Sequence, residues 1–196
     1  KFISVGGAIA SDVHGKNHHT EGCFVECVLS FKIMDEKGVI LNCSREENSD
    51  KFWATIGGMG LTGIILSAKI KLKNIESAYI RQESIKAENL NEIFRLFEES
   101  EDWTYTVAWI DCLQKGKNIG RSILMRGEHA LKVELPFKLA DKPLRLKKKF
   151  NPTVPFYFPK FVLNKFTVKA FNFLYFNKQR PKVVKNIIDY ETFFYP

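Results

Sequence analysis

The stretch SVGGAIASDVHGKNHH, Ser4 to His19, decides how the rest of the chain reads. The run Phe2-Ile3-Ser4-Val5 has the aromatic and branched residues of a short strand, and it ends at Gly6-Gly7. A strand running into small residues lets a ligand lie against the main chain, because Gly and Ala hold nothing away. Exposed N–H groups in such a turn donate to phosphates or to the carbonyls of a heterocycle. An imidazole, an ammonium and an amide follow at His14, Lys16 and Asn17. The same residues also suit a tight turn in any β protein, with His14 bonded locally.

Outward from this stretch, Leu29, Phe31 and Ile33 alternate with Ser30 and Lys32, the period of a half-buried strand. The turn Asp35-Glu36-Lys37-Gly38 and the run Val39-Ile40-Leu41 complete a hairpin. Ser44 and Glu47 have capping-box spacing ahead of a helix through Lys51–Ala54, which stops at Gly57-Gly58. The segment Gly57-Gly58-Met59-Gly60-Leu61-Thr62-Gly63 holds four glycines in seven positions. That density signals unusual dihedrals or a close backbone approach. It lacks the GxGxxG order of a dinucleotide site and the GKS/T of a P-loop. Gly63 to Leu72 reads as a buried strand and residues 76–86 as another. Leu90, Ile93, Phe94 and Phe97 give an amphipathic helix over 88–100, followed by strands at 103–110 and 120–126.

The chain has 196 residues, 45% apolar and 27% charged, which excludes a disordered or collagen-like polymer. The longest uncharged run, Phe52 to Ala68, carries those four glycines and makes a poor membrane span. Four irregularly placed cysteines do not build a disulfide scaffold. His19, Cys23 and Cys27 stand four apart with Cys43 downstream, a spacing that binds zinc only on a helix. Gly22 and the strand beyond Cys27 argue against one, so no metal is expected. No third residue stands ready to orient a Cys–His nucleophile. The chain starts at Lys1 directly before the glycine motif, and reads as a piece of a longer protein.

After residue 130 the texture changes. Residues 131–196 carry 14 basic and 4 acidic side chains, whereas residues 1–130 carry 16 and 18. Eleven of the 17 Phe lie in that last third, among prolines at 136, 143, 152, 155 and 159 and the run Lys147-Lys148-Lys149. A subdomain boundary is expected between 100 and 135. The basic, aromatic tail suits phosphate contacts and base stacking. It equally suits docking on an anionic membrane, or core contacts to a larger remainder with its lysines solvated. Nucleic acid fits worst, since no recognised RNA-binding signature is present, and no nucleic-acid partner is expected.

Val5-Gly6-Gly7-Ala8-Ile9-Ala10-Ser11-Asp12-Val13-His14-Gly15 resembles the flavin-binding segment of the vanillyl-alcohol-oxidase type FAD oxidases. Lys16-Asn17-His18-His19, Phe52–Gly58 and Gly60–Ile65 look closer to its decaprenylphosphoryl-β-D-ribose oxidase branch. The likeness continues through Tyr105–Trp109 and Gly120-Arg121 and covers essentially the whole chain. It implies an α+β fold: the second half of the FAD-binding domain over 1–100, then the start of a substrate domain over 101–196. The Pro-rich, basic, aromatic loop region begins at about 131.

The resemblance assigns Ser4, Val5, Gly6, Gly7, Ser11, Asp12, Val13, His14 and Ile65 to FAD. It assigns His14, Gly15, Lys16 and Trp109 to the substrate pocket, and Val107 stands where that branch has a serine. No catalytic residue is assigned, because the active-site lysine of the family is expected outside this chain. The implied chemistry is oxidation of a secondary hydroxyl of a sugar by hydride transfer to flavin, the substrate a lipid-linked ribose or a polyol. An aldonolactone or alditol oxidase is the alternative within the class. A non-catalytic membrane- or nucleic-acid-binding module is the alternative outside it. Expected partners are a keto-sugar reductase and, through residues 131–180, a membrane surface. The expected location is cytoplasmic or peripheral to a membrane.

Overall fold

The structure, a computed structural model, describes residues 3–146, 157, 159 and 162–195. Helices and antiparallel sheets are mixed along it, an α+β arrangement. By contact the chain falls into two units, Lys1–Asn74 and Ile75–Pro196, a division earlier than the 100–135 window. The reason is long-range pairing, since the strand just after residue 75 finds both its neighbours far downstream.

In the first unit, Ser4 does not end a strand. It caps helix α1 (Val5–Ala10), its Oγ accepting the Gly7 amide at 3.1 Å. The β-like run is too short to outweigh this cap and the burial of Ala8 and Ile9 on one side of the helix. A short helix α2 (His18–Glu21) and a 3₁₀ turn (Phe24–Cys27) lead into the sheet. Its strands are β1 (Val28–Met34), β2 (Ile40–Ser44) and β3 (Ile64–Ile70), ordered β2-β1-β3. The expected hairpin forms, with Asp35 Oδ1 accepting the amides of Lys37 and Val39 at 2.9 and 2.8 Å. Phe31 and Ile33 are buried as their alternation predicts, but Val28 takes the inward place read for Leu29. An irregularity in the β1–β3 register between Val28 and Ser30 shifts the phase there.

Helix α3 (Ser49–Thr55) is present, but Ser44 does not cap it. The Ser44 hydroxyl accepts the amides of Glu46 and Glu47, closing a separate turn, and Asn48 enters the helix in left-handed conformation. Phe52 of α3 is fully buried and stacks on Phe31 at 5.3 Å within a core of Ile9, Val25, Val28, Ile33 and Cys43. β3 is half-exposed, not buried: Ile65 faces this core, whereas Ile64 and Leu66 point away from it.

The second unit is built on β4 (Tyr79–Ala87), β5 (Tyr105–Ile110), β6 (Ser122–His129) and β7 (Val183–Asp189), ordered β5-β6-β4-β7. Ala108, Leu124 and Ile85 form a cross-strand row under Ile93 and Leu96 of α4 (Leu90–Glu98). The helix is amphipathic as read, but Leu90 and Phe94 lie on its exposed side. After the short α5 (Phe137–Ala140), α6 (Lys165–Lys178) buries Asn172 and Phe176. On α7 (Tyr190–Phe194), Phe193 packs with Ile80 and Tyr105. Lys147-Lys148-Lys149 and the prolines at 152 and 155 lie outside the described residues.

Candidate functional site

The two glycine motifs recognised in the sequence meet in the first unit. The Gly57 amide donates to the Ile9 carbonyl at 3.1 Å, and the Met59 amide to that of Ala10 at 2.8 Å. The second motif therefore closes off the C-terminal end of α1. Ile65 completes the group: its Cβ lies 3.6 Å from the place a Gly6 Cβ would occupy. Of the nine positions assigned to FAD, this packing brings Gly6 against Ile65, while the Asp12 Cβ lies 3.7 Å from the place a Gly57 Cβ would occupy. Ser4, Val5, Ser11 and His14 are exposed alongside.

Asp12 holds the turn after α1. It takes φ 40°, a left-handed conformation costly for most L-residues and more readily adopted by Asp. Its Oδ1 accepts the Val25 amide at 2.9 Å, and the neighbouring Phe24 amide donates to the Val13 carbonyl at 2.9 Å. These two bonds tie the turn to the segment before β1. Burial raises the pKa of the Cys23 thiol, and the nearby Asp12 carboxylate adds to the rise, so Cys23 is poorly disposed to act as a thiolate.

A cavity of about 260 Å³ opens beside this turn, lined by His14, Gly15, Asn17, Gly22 and Cys23 among others. His14 and His18 meet edge to face at 5.1 Å. Lys16 is half-buried nearby, and burial lowers its pKa. The cavity lining therefore offers the His14 ring, the Asn17 amide and the Glu21 carboxylate, groups able to donate to and accept from hydroxyls. Among the described residues no group of three or more His, Cys, Asp or Glu side chains is arranged to hold a metal ion.

Trp109 and Val107 belong to the second unit, on β5. Trp109 packs on Tyr175 of α6 at 4.8 Å, and Tyr175 stacks on Phe171. What holds α6 there was not singled out in the sequence. The Asp111 carboxylate, inaccessible to solvent, accepts from Arg121 at 2.7 Å, Asn172 at 2.7 Å and Gln114 at 2.8 Å. Burial alone would raise its pKa, but these donors hold it below the usual carboxylate range. Arg121 also lies 4.6 Å over the Phe176 ring. An aspartate directly after an apolar strand is the signal that was available, although its partner Asn172 is 61 residues away.

No protein-family model matches the chain. Comparison with individual proteins is more informative. The chain is 37% identical over 179 residues to the decaprenylphosphoryl-beta-D-ribose oxidase of Mycolicibacterium smegmatis, covering 90% of this chain and 39% of that protein. It is 36% identical over 72 residues to cytokinin dehydrogenase 3 of Arabidopsis thaliana, 37% of this chain and 14% of that one. It is 29% identical over 94 residues to the FAD-linked oxidoreductase easE of Claviceps purpurea, 47% of this chain and 18% of that one. The chain belongs to the family of FAD-linked oxidases. Within that family it is similar over 90% of its length to a decaprenylphosphoryl-beta-D-ribose oxidase, and it spans about two fifths of that relative's length.

Proposed function

We propose that the whole protein is an FAD-dependent oxidoreductase that oxidises a secondary hydroxyl of a sugar, the substrate being a polyprenyl-phosphate ribose. The observation that carries this reading is the 37% identity to the ribose oxidase over 90% of the chain. Ser4, Val5, Gly6, Gly7, Ser11, Asp12, Val13, His14 and Ile65 are the residues proposed to hold FAD. Gly6 supports the fit. A glycine inside a helix costs about 0.5–1 kcal/mol relative to alanine. Yet an alanine Cβ here would meet Ile65 only at ordinary contact distance, so packing within the unit does not demand glycine. The bare backbone leaves room for a ligand.

FAD held by these residues would supply the acceptor for the hydride of the carbinol carbon, the hydroxyl proton passing to a base. His14, Gly15, Lys16 and Trp109 are proposed to border the sugar. Lys16, whose pKa burial lowers, is proposed to donate to a sugar hydroxyl. His14 orients a second hydroxyl. A keto-sugar reductase is the proposed partner, and residues 131–180 the proposed membrane-facing part. No helix among the described residues is long and apolar enough to cross a membrane. On α6, Phe166, Phe173 and Leu174 are exposed beside Lys165 and Lys169, as peripheral contact with anionic lipid requires.

The test uses the intact protein purified with its flavin. The expected result is a yellow protein whose flavin absorbance bleaches anaerobically on addition of farnesylphosphoryl-ribose and not of farnesyl phosphate. A colourless protein that takes up no FAD sinks the reading. Bleaching by soluble polyols with peroxide release in air would instead assign it to the alditol oxidases.

A further inference from the structure

A helix in a folded protein is ordinarily seated by burying one apolar stripe. α6 departs from this. Of its 14 residues only Asn172 and Phe176 are buried, while Phe166, Phe171, Phe173 and Leu174 stay exposed. Both buried residues meet the same ion pair. Asn172 Nδ2 donates to Asp111 Oδ1 at 2.7 Å, and the Arg121 guanidinium lies 4.6 Å over the Phe176 ring. The Lys86 ammonium stands 4.1 Å from that ring as well. Contacts of cations with an aromatic face gain strength where water is excluded.

The Asp111 carboxylate divides its bonds evenly. Oδ1 accepts from the Leu113 amide at 3.1 Å and from Asn172, and Oδ2 accepts from Arg121 at 2.7 Å and Gln114 at 2.8 Å. Leu113, Gln114 and Arg121 belong to the segment that follows Asp111 itself. Within α6 it is Asn172 that carries the charge-assisted bond to this carboxylate. Gln179, just past the helix, adds a bond to the Ser84 carbonyl at 3.0 Å. Asn172, Tyr175 and Phe176 stand at i, i+3 and i+4, so they share one side of the helix. On that side Tyr175 packs on Trp109 at 4.8 Å, and Trp109 lies two residues before Asp111. A tryptophan ring turns about two side-chain torsions unless something backs it. Tyr175 is the backing, and the bond from Asn172 to Asp111 sets where Tyr175 stands.

We propose that Asp111, Arg121 and Asn172 are positioning residues of the sugar pocket: their network docks α6, and α6, through Tyr175, fixes the Trp109 ring as a pocket wall. This rests on the reading of Trp109 as a residue that borders the sugar, so the experiment includes one readout that needs no substrate. In the intact, flavin-loaded protein with every tryptophan except Trp109 replaced by phenylalanine, acrylamide quenching reports the freedom of that ring alone. Asn172→Leu is the decisive variant, because Asp111 keeps three donors and the unit stays folded. It is expected to raise the quenching constant of Trp109. With farnesylphosphoryl-ribose it is expected to raise KM at least about tenfold while kcat changes far less. Tyr175→Ala is expected to do the same, and N172L/Y175A no more than Tyr175→Ala alone. Ile93→Val loosens the core beneath α4 in the same unit and is expected to lower stability while leaving quenching and KM unchanged, as a merely structural effect would. Unchanged quenching in Asn172→Leu overturns the proposal. So does quenching that rises while KM stays at the wild-type value, or a double variant whose losses add. Wild type whose flavin no ribose substrate bleaches sinks the flavin reading, and quenching by itself then decides whether the network sets Trp109.

Discussion

Asp111 and Arg121 face each other with the carboxylate out of reach of solvent and the guanidinium nearly so, and each makes the other tolerable. Removing one partner of a buried pair leaves an uncompensated charge, which costs about 3–5 kcal/mol. Asp111→Ala is therefore expected to lower stability by about that amount, read as a shift of the urea midpoint at neutral pH. The pH dependence has a definite sign. Asp111 is held below its ordinary pKa. So is Glu83, where burial works against the effect but hydrogen bonds from Lys185 and Arg126 prevail. A carboxylate with a depressed folded pKa contributes stability above its unfolded pKa, near 3.9–4.3, and loses it as the pH falls through the folded value. Stability should thus hold from neutral pH to about 5 and decline below about 4. Urea midpoints measured across that range check it, and in Asp111→Ala the decline should be shallower. Gly6→Ala asks a different question at the same scale. It is expected to leave folding unchanged, or up to about 1 kcal/mol better, because alanine suits a helix. The flavin content of the purified protein should fall none the less. Unchanged flavin content would remove Gly6 from the proposed site.

Among the elements, α1 is the least able to stand alone: six residues, two of them glycine, are far too few for a stable isolated helix. It holds its shape through Ile9, which is completely buried against Phe52 and β1, and through the two amides donated by Gly57 and Met59. Ile9→Ala is expected to destabilise the first unit by about 2–4 kcal/mol, measured by thermal unfolding, and to lower flavin retention with it. The local pattern around Ser4 misleads for a physical reason. Branched residues favour extended backbone, but a serine cap and long-range burial of Ile9 decide the outcome, and only the cap is visible locally. β1 and α4 were legible because their periodicity is set by one buried face. The departures, Leu29 for Val28 and Phe94 for Leu96, arise where a register irregularity or a choice of packing partner shifts the phase. Both glycine motifs were legible as sites of close backbone approach. That they approach each other was not, since nothing in either motif names the other.

At the scale of the molecule, the two units carry separate cores: Ile9 to Phe52 in one, the clusters around Ile85, Tyr79 and Ile80 in the other. They also carry separate reporters, Trp53 in the first and Trp103 and Trp109 in the second. Gly63 has φ 140° and comes so close to β1 that a Cβ would collide with the Met34 carbonyl oxygen. Gly63→Ala is expected to cost at least about 2 kcal/mol. In single-tryptophan variants the loss should appear in the unfolding curve of Trp53 and far less in that of Trp109. Equal shifts at both would show one cooperative unit. The boundary near residue 75 was hidden in the sequence because it is defined by strand pairing across about a hundred residues, not by any break in composition.

That pairing also sets an order of events at the ribosome. β4 lies between β6 and β7, and β7 begins at Val183, long after β4 ends at Ala87. At roughly 5–20 residues per second, the strand waits about 5–20 s with one side of its backbone unmatched while the intervening chain is made. An open strand edge is a template for another nascent chain. Slower translation through the lysine-rich stretch before β7 lengthens that exposure, and faster translation or a chaperone seated on β4 shortens it.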